Sequence, residues 1–142
     1  MKFTAKTEYG VRAIIEIAAK KGQPAKVNEI AKEGKMPERF LEQIMSNFKK
    51  ADLVKSIRGA HGGYILTKKP EEITLSAVIE SIEGPMALVD CLEVESSCEM
   101  GSCAIRDVWK GVQSVVLDAL DSITIKQLLD KTKNGGSYVQ AL

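Results

Sequence analysis

The sequence predicts a mainly α-helical fold with one small β element. Several segments place apolar residues at intervals of three and four and are separated by glycines, which is the pattern of short amphipathic helices. Near the middle of the chain, two short segments rich in β-branched residues flank the glycine-rich residues 58–63, which predicts a β-hairpin. A longer apolar stripe follows the last cysteine. Together these features predict a winged helix-turn-helix, with the hairpin as its wing, and a long C-terminal dimerisation helix.

Three helices are expected before the hairpin. The first spans residues 7–21 and ends at Gly22, and the second spans residues 27–33 and ends at Gly34. The third spans residues 37–50 and starts at a proline, which suits a first helical turn. The apolar stripe of this third helix consists of Phe40, Leu41, Ile44, Met45 and Phe48. The glycine-containing turn between the second and third helices is typical of a helix-turn-helix.

The hairpin and the cysteines follow. Strands are expected at residues 53–57 and 64–66, and a further helix is expected at residues 75–83. Residues 86–102 have little periodicity and several small or acidic residues, so we expect an irregular loop there.

The C-terminal part is expected to be a long helix of about five turns that begins after Cys103. Its apolar stripe comprises Ile105, Val108, Trp109, Val112, Val115, Val116, Ala119 and Ile123. So small a chain offers too little surface to cover this stripe, so homodimerisation through the helix is expected. A short helix is expected at residues 125–131, followed by a mobile tail.

These elements divide the chain into four regions. Residues 1–85 are expected to form a DNA-binding domain, and residues 86–103 a cysteine-bearing loop. Residues 104–132 are expected to form the dimerisation helix with the short last helix, and residues 133–142 a flexible tail.

The charges of the two halves of the chain are opposite. Residues 1–69 hold 15 lysines and arginines against 7 acidic residues, whereas residues 70–142 hold 5 against 12. A basic first half suits a polyanion such as nucleic acid, although solvated lysine faces are also common.

Other function classes are disfavoured. The segment MKFTAKTEYG lacks the apolar stretch of a secretory signal, and no run approaches the length of a membrane span. A cytoplasmic protein without a membrane partner is therefore expected. An enzyme is not expected, because no histidine–nucleophile pair or paired carboxylates are recognisable.

The third helix is the expected reader of double-stranded DNA. Its exposed positions near the N-terminus would be Glu38, Arg39, Glu42 and Gln43. Arginine can pair with guanine, glutamine with adenine, and glutamate with the cytosine amino group. The alternative is that these side chains only form a solvated helix face.

The wing is expected to add further DNA contacts. Arg58 stands among small residues that permit close approach to a minor groove. His61 is the only histidine and could contact the DNA backbone, be exposed or bind a metal. Lys49 and Lys55 could lie near phosphates or simply keep the surface soluble.

Cys91, Cys98 and Cys103 fall within 13 residues and are the only cysteines of the chain. Three thiolates could bind an iron–sulfur cluster with one further ligand. Structural zinc prefers closer pairs than the intervals of six and four residues found here. A thiol redox switch would need only two of the three.

Several motifs resemble the Rrf-two family of bacterial winged-helix transcriptional regulators. The matching elements are Tyr9-Gly10, Leu41-Glu42-Gln43, residues 53–64 with the sequence LVKSIRGAHGGY, and Ile82-Glu83-Gly84-Pro85. The likeness covers residues 1–129, and residues 124–129 are similar to the family's turn after the dimer helix. The three cysteines before the long helix are similar to those of the cluster-binding members.

The resemblance implies a homodimer that reads a roughly palindromic operator under the control of a [2Fe–2S] or [4Fe–4S] cluster, which an aerobically prepared sample could lack. It implies most directly a regulator of iron–sulfur cluster biogenesis. The alternatives are a nitric-oxide or redox-sensing repressor, a cluster-free thiol-switch regulator of cysteine metabolism, and, outside the class, a metal or redox protein that does not bind DNA.

Two departures from the family pattern concern the cluster ligands. The cysteine intervals are six and four residues where five and five are common, and Arg106 stands where some members place a histidine ligand. An arginine stays protonated and cannot ligate iron. Other members recruit an acidic residue from the first helix of the partner subunit, and the resemblance places Glu8 at that position. Cys91, Cys98, Cys103 and, in trans, Glu8 are therefore the expected ligands, with Glu8 as a surface carboxylate or helix cap as the alternative.

Overall fold

The computed structural model describes residues 2–93 and 103–134. In chain order, its elements are α1 (Ala5–Ala19), α2 (Val27–Glu33), α3 (Glu38–Lys50), β1 (Val54–Ile57), β2 (Gly63–Leu66), a 3₁₀ turn (Pro70–Glu72), α4 (Leu75–Glu83), α5 (Asp90–Glu93), α6 (Ala104–Asp121) and α7 (Ile125–Lys133). The predicted fold class, mainly α with a small β wing, is confirmed.

Helix α1 lies at the centre of the fold. Its residues Ala13, Ile14 and Ile17 are almost fully buried, because α1 packs against α2, α3, α4, α7 and β2. Burial of this many apolar side chains from different elements stabilises the relative positions of those elements. The packing of α1 therefore fixes where α3 and the wing lie.

Helices α2 and α3 form the predicted helix-turn-helix. Helix α3 buries four apolar side chains spaced three and four residues apart: Leu41, Ile44, Met45 and Phe48. In the turn between the helices, Lys35 adopts a left-handed backbone conformation with φ of 51°, and the next residue, Met36, is buried. This turn anchors the start of α3, while the outer face of α3 stays in solvent.

The wing is an antiparallel pair of strands in which Val54 lies opposite Leu66 and Ile57 opposite Gly63. A third segment joins it, because Ala25 and Tyr64 exchange two backbone hydrogen bonds with N–O distances of 2.9 and 2.8 Å. Gly63 has φ of +151°, and a Cβ there would lie 2.5 Å from the Ala25 carbonyl oxygen. Only glycine allows this close approach, which attaches the wing to the segment between α1 and α2.

Helices α4 and α7 begin side by side. Thr74 and Thr124 cap the two N-termini through their hydroxyl groups. The Leu75 N–H donates to the Ile123 carbonyl at 2.8 Å, and the Ile125 N–H donates to the Ile73 carbonyl at 2.9 Å. Helix α7 then buries Ile125 and Leu129 against the core, so the chain returns to α1 after the long helix.

The long helix α6 carries an apolar face that its own chain leaves largely exposed. Ile105, Val108, Trp109, Val112 and Val115 are all exposed, with Val115 at 69% of its maximum. The neighbouring face of α6 packs against α4 and α5. Within residues 2–93 and 103–134, no helix is both long enough and apolar enough to cross a membrane.

The structure differs from the sequence prediction in several places. Helix α1 begins and ends two residues before the predicted residues 7–21. Helix α6 ends at Asp121, so Ile123, which was assigned to its apolar stripe, lies beyond the helix. Residues 90–93, expected to lie in an irregular loop, form the short helix α5. Helix α7 continues to Lys133, two residues beyond its predicted end. Half-buried Phe40 also lies at the edge of the stripe that α3 was expected to bury. The expected tail from residue 135 onward and residues 94–102 lie outside the described residues.

The start of α1 is joined to the end of α4 by the Glu83 carboxylate. Its Oε1 accepts hydrogen bonds from the Thr4 N–H at 3.1 Å, from the Thr4 hydroxyl at 2.6 Å and from the Thr7 hydroxyl. The bonds from Thr4 and then Thr7 hold the pKa of the Glu83 carboxyl below its ordinary value, and the charge of Lys6 acts in the same direction against a small effect of burial.

We expect Glu83→Gln to lower the free energy of unfolding at pH 7 by about 1 kcal/mol, because the amide is a weaker acceptor and solvent screens this site. The folded-state pKa lies below the unfolded value near 4.5. The carboxylate therefore stabilises the fold above the unfolded pKa, and this contribution is lost as the pH falls through the folded pKa.

Urea denaturation of both chains between pH 3 and pH 7 measures the difference. Glu80→Gln, on the exposed side of the same helix, is the matched control. A difference between wild type and Glu83→Gln that did not shrink toward pH 3 would contradict this role of the carboxylate.

Candidate nucleic-acid interface and cysteine site

The outer face of α3 is polar and exposed. Glu38, Arg39, Glu42 and Gln43, the four predicted base-reading residues, are all exposed in the first two turns. The opposite face of the same turns buries Leu41 and Ile44. This division gives a firmly seated helix whose donors and acceptors all point outward, as a helix entering a major groove requires.

A row of four side chains connects α3 with α1. The Arg39 guanidinium carbon lies 4.9 Å from the centre of the Phe40 ring. The Phe40 ring lies 5.3 Å from the Tyr9 ring at an interplanar angle of 38°, and the Arg12 guanidinium carbon lies 5.8 Å from the Tyr9 ring centre. No role for Tyr9 or Arg12 at this surface was expected from the sequence. Their spacing of three on α1 was the only available signal.

The wing extends directly from the end of α3. The Leu53 N–H donates to the Phe48 carbonyl at 2.9 Å, which fixes the start of β1 against the helix. Arg58 and His61 are exposed in the turn between the strands, where the Gly62 N–H donates to the Gly59 carbonyl at 3.0 Å. The turn thus holds Arg58 and His61 at the tip of the wing.

The two lysines assigned to this surface are exposed. Lys49 lies in the last turn of α3, and Lys55 lies on β1. Both are therefore accessible to a polyanion near the junction of helix and wing, which is consistent with the basic charge of this half of the chain.

Two of the three cysteines lie at the junction of α5 and α6. Cys91 belongs to α5, and Cys103 immediately precedes α6 as its N-terminal cap residue. Both are half-buried, and neither forms a disulfide. The Arg106 Nε donates to the Cys91 carbonyl oxygen at 3.2 Å, so an arginine from the first turn of α6 holds the backbone of Cys91. Cys98 lies outside the described residues.

Glu8 and His61 lie on elements other than α5 and α6. Glu8 is exposed in the first turn of α1, and His61 is in the wing. Among residues 2–93 and 103–134, no three side chains of histidine, cysteine, aspartate or glutamate come together as a metal site would require. The described part of one subunit therefore provides two thiols.

A profile of the Rrf2 family, the Rrf-two family that the motifs resemble, matches residues 3–131 and is described as an iron-dependent transcriptional regulator. The chain belongs to the Rrf2 family. It is 38% identical over 133 residues to the transcriptional regulator CymR of Bacillus subtilis, a match that covers 93% of this chain and 92% of CymR.

Solved structures of Rrf2 proteins have the same fold. The structure of the global cysteine regulator CymR of B. subtilis matches with a TM-score of 0.76 and 36% identity, covering 92% of this chain and 97% of CymR. T. potens IscR matches with a TM-score of 0.76 and 32% identity, covering 96% and 92% of the two chains. The chain is thus a transcriptional regulator of a DNA-binding family, and the winged helix-turn-helix is confirmed.

The chemistry of the donors fits an iron–sulfur group in this Rrf2 protein. Thiolates are the usual protein ligands of such clusters. Cys103 stands at the N-terminus of α6, and the Arg106 guanidinium holds the Cys91 backbone near that helix end. A cluster with three thiolates still needs a fourth ligand, and Arg106 cannot supply one.

Proposed function

We propose that this Rrf2 protein is a cytoplasmic homodimer that binds a palindromic operator in double-stranded DNA under the control of an iron–sulfur cluster. Cys91, Cys98 and Cys103 bind the cluster together with Glu8 of the partner subunit. The genes that this protein regulates are those of iron–sulfur cluster biogenesis, which is an IscR-like role. The observation that carries the proposal is that three cysteines fall within 13 residues of the sequence just before α6, the exposed long helix of a winged helix-turn-helix.

The DNA contacts come from α3 and the wing. Arg39, Gln43 and the two glutamates read base edges in the major groove, while Arg58 enters the adjacent minor groove. Lys49, Lys55 and His61 contact the backbone. In a symmetric dimer, the two α3 helices read half-sites about one helical turn apart, which explains why the operator is palindromic.

We expect Arg58→Ala to weaken operator binding about tenfold at fixed salt, because an exposed arginine at the wing tip is lost from the minor groove. Fluorescence anisotropy with a duplex that the wild-type chain selects from a random pool measures the affinity. Lys131→Ala removes one exposed positive charge from α7 and is the control. Equal affinities of wild type and Arg58→Ala would contradict the wing assignment.

The dimer forms through α6. The exposed residues from Ile105 to Val115 lie on one side of the helix, next to the side that packs on α4 and α5. An exposed apolar face of this length marks a surface that a second copy covers. Polar residues of α6, such as Ser114, lie on the side of the helix opposite the exposed apolar face.

We expect Val115→Glu to convert the dimer to a monomer, because a carboxylate would be buried without a partner in the interface. Val115 is 69% exposed in the single chain, so the monomer should still fold. Sedimentation velocity measures the mass, and the emission of Trp109, the only tryptophan and part of the stripe, reports burial of the interface. Ser114→Glu is the matched control, and an undiminished dimer of Val115→Glu would rule out this interface.

The acidic ligand comes from the partner because Glu8, Cys91 and Cys103 of one chain do not come together as a metal site would require. Glu8 lies on α1, within the DNA-binding domain, whereas Cys91 and Cys103 lie at the base of α6. A carboxylate is a weaker and more exchangeable iron ligand than a thiolate. An exchangeable ligand suits a sensor, since dissociation of Glu8 from the cluster would break the bond between the cluster and α1.

We expect Glu8→Ala to lower the iron and sulfide content of anaerobically purified protein and to weaken its visible absorbance, whereas Glu80→Ala should not. Glu8→Ala and Cys91→Ser chains are then mixed and allowed to exchange subunits. If the site is shared, the mixed dimer contains one complete site and regains absorbance, because intact cysteines meet an intact Glu8. No recovery on mixing would exclude ligation in trans.

A second candidate is a cluster-free thiol-switch regulator of cysteine metabolism. The identity of 38% with CymR favours it, as does the position of two free thiols near the same helix end. Anaerobic isolation decides between the two, because brown protein with iron and sulfide excludes the thiol switch. A nitric-oxide or redox-sensing repressor would show the same cluster, with DNA binding abolished by nitric oxide or oxidant.

A further inference from the structure

The row formed by Arg12, Tyr9, Phe40 and Arg39 has a cation at each end and two rings between them. We propose that Tyr9 is a positioning residue for operator selectivity, holding Phe40 and through it the Arg39 guanidinium on the outer face of α3. This inference rests on the proposed function, because it requires Arg39 to read a base.

Arg39 needs such support because its side chain is exposed and long. An arginine on a helix surface samples many rotamers, and ordering it on binding costs free energy. Stacking of the planar guanidinium on the Phe40 ring at 4.9 Å limits these rotamers before DNA arrives. Ordering of the donor before binding increases both affinity and discrimination.

Phe40 cannot supply this order alone. Its ring is only half-buried at the edge of the α3 stripe, so the neighbouring side chain decides its rotamer. That neighbour is the Tyr9 ring on α1, whose centre lies 5.3 Å from that of Phe40 at an interplanar angle of 38°. This distance is within the range of interacting aromatic pairs. Arg12 lies over the same Tyr9 ring at 5.8 Å. A residue outside the helix-turn-helix therefore sets the direction of a base-reading side chain.

Tyr9 and Phe40 also pack against the hydrophobic core. A purely structural role for Tyr9 is therefore the alternative that the experiment must separate. The two roles differ in one respect, because only the positioning role requires Arg39 to be present.

The test is a double-mutant cycle on DNA binding, with Tyr9→Leu, Arg39→Ala and the double variant. Each variant and the wild type are purified separately under anaerobic conditions. The affinity of each protein is then measured for the duplex that wild type selects from a random pool. Single base-pair substitutions in that duplex and a duplex of unrelated sequence measure selectivity. Tyr9→Phe keeps the ring, and Tyr9→Met keeps more volume than leucine in case Tyr9→Leu does not fold. Thermal melting records the stability of every variant.

We expect Tyr9→Leu and Tyr9→Met to lower affinity for the selected duplex by about three- to tenfold, with unchanged affinity for unrelated DNA. Tyr9→Phe should stay within about twofold of wild type, since the ring is the acting group. In the Arg39→Ala background, Tyr9→Leu should have no further effect on selectivity.

Losses that multiply in the double variant would overturn the inference and leave the proposed function intact. A Tyr9→Phe variant as weak as Tyr9→Leu would also overturn it, because the hydroxyl group would then be the acting group. If Arg39→Ala binds the selected duplex like wild type, the assignment of Arg39 to DNA fails, and this inference fails with it.

Discussion

The packing of α1 is the constraint on which the rest of the molecule depends. This single helix contacts α3, α4, α7 and the second wing strand, and it buries Ala13, Ile14 and Ile17 almost completely. Because α3 has only one buried face, its direction is set by how that face fits against α1. The wing depends on the same helix, since Ala25, which pairs with Tyr64, lies in the segment that follows α1.

The N-terminal turns of α1 also bring together groups with different roles. Thr4 and Thr7 donate to Glu83 and so attach the start of the helix to the end of α4. The next residue, Glu8, faces solvent, and Tyr9 turns toward Phe40 on α3. In the proposed regulator, iron bound to Glu8 would therefore act on a turn that is held on one side by α4 and that touches α3 on the other. A displacement of this turn would reach α3 through the contact between the Tyr9 and Phe40 rings.

The sequence was sufficient for the features that depend on local patterns. The three- and four-residue spacing of Leu41, Ile44, Met45 and Phe48 predicted α3, and the glycines around Arg58 predicted the wing. The stripe of α6 was also recognisable, because an apolar face produces the same periodicity whether or not its own chain covers it.

Features that depend on contacts between distant residues could not be predicted in this way. Helix α5 was missed because four residues are too few to show periodicity. The pairing of Ala25 with Tyr64 and the stacking of Tyr9 on Phe40 join residues more than thirty positions apart, and neither leaves a local signal. In the sequence, Glu83 looks like an ordinary surface carboxylate, and only the structure shows its hydrogen bonds with Thr4 and Thr7. For the candidate site, the sequence supplied the donor types, whereas only the structure shows Arg106 on the Cys91 backbone.

A cluster shared between subunits would couple three equilibria that are otherwise separate. If the fourth ligand comes from the partner, the complete site exists only in the dimer, so cluster binding must strengthen dimerisation by the same free energy by which dimerisation strengthens cluster binding. Dimerisation in turn sets the spacing of the two α3 helices, on which operator binding depends. The exposed face of α6 would then need to provide only part of the association energy, because the cluster ligands provide the rest. The departure at Arg106 has a physical role in this arrangement. A histidine there would complete the site within one chain and remove the coupling, whereas an arginine that holds the Cys91 backbone would leave the fourth position open for a ligand from the partner.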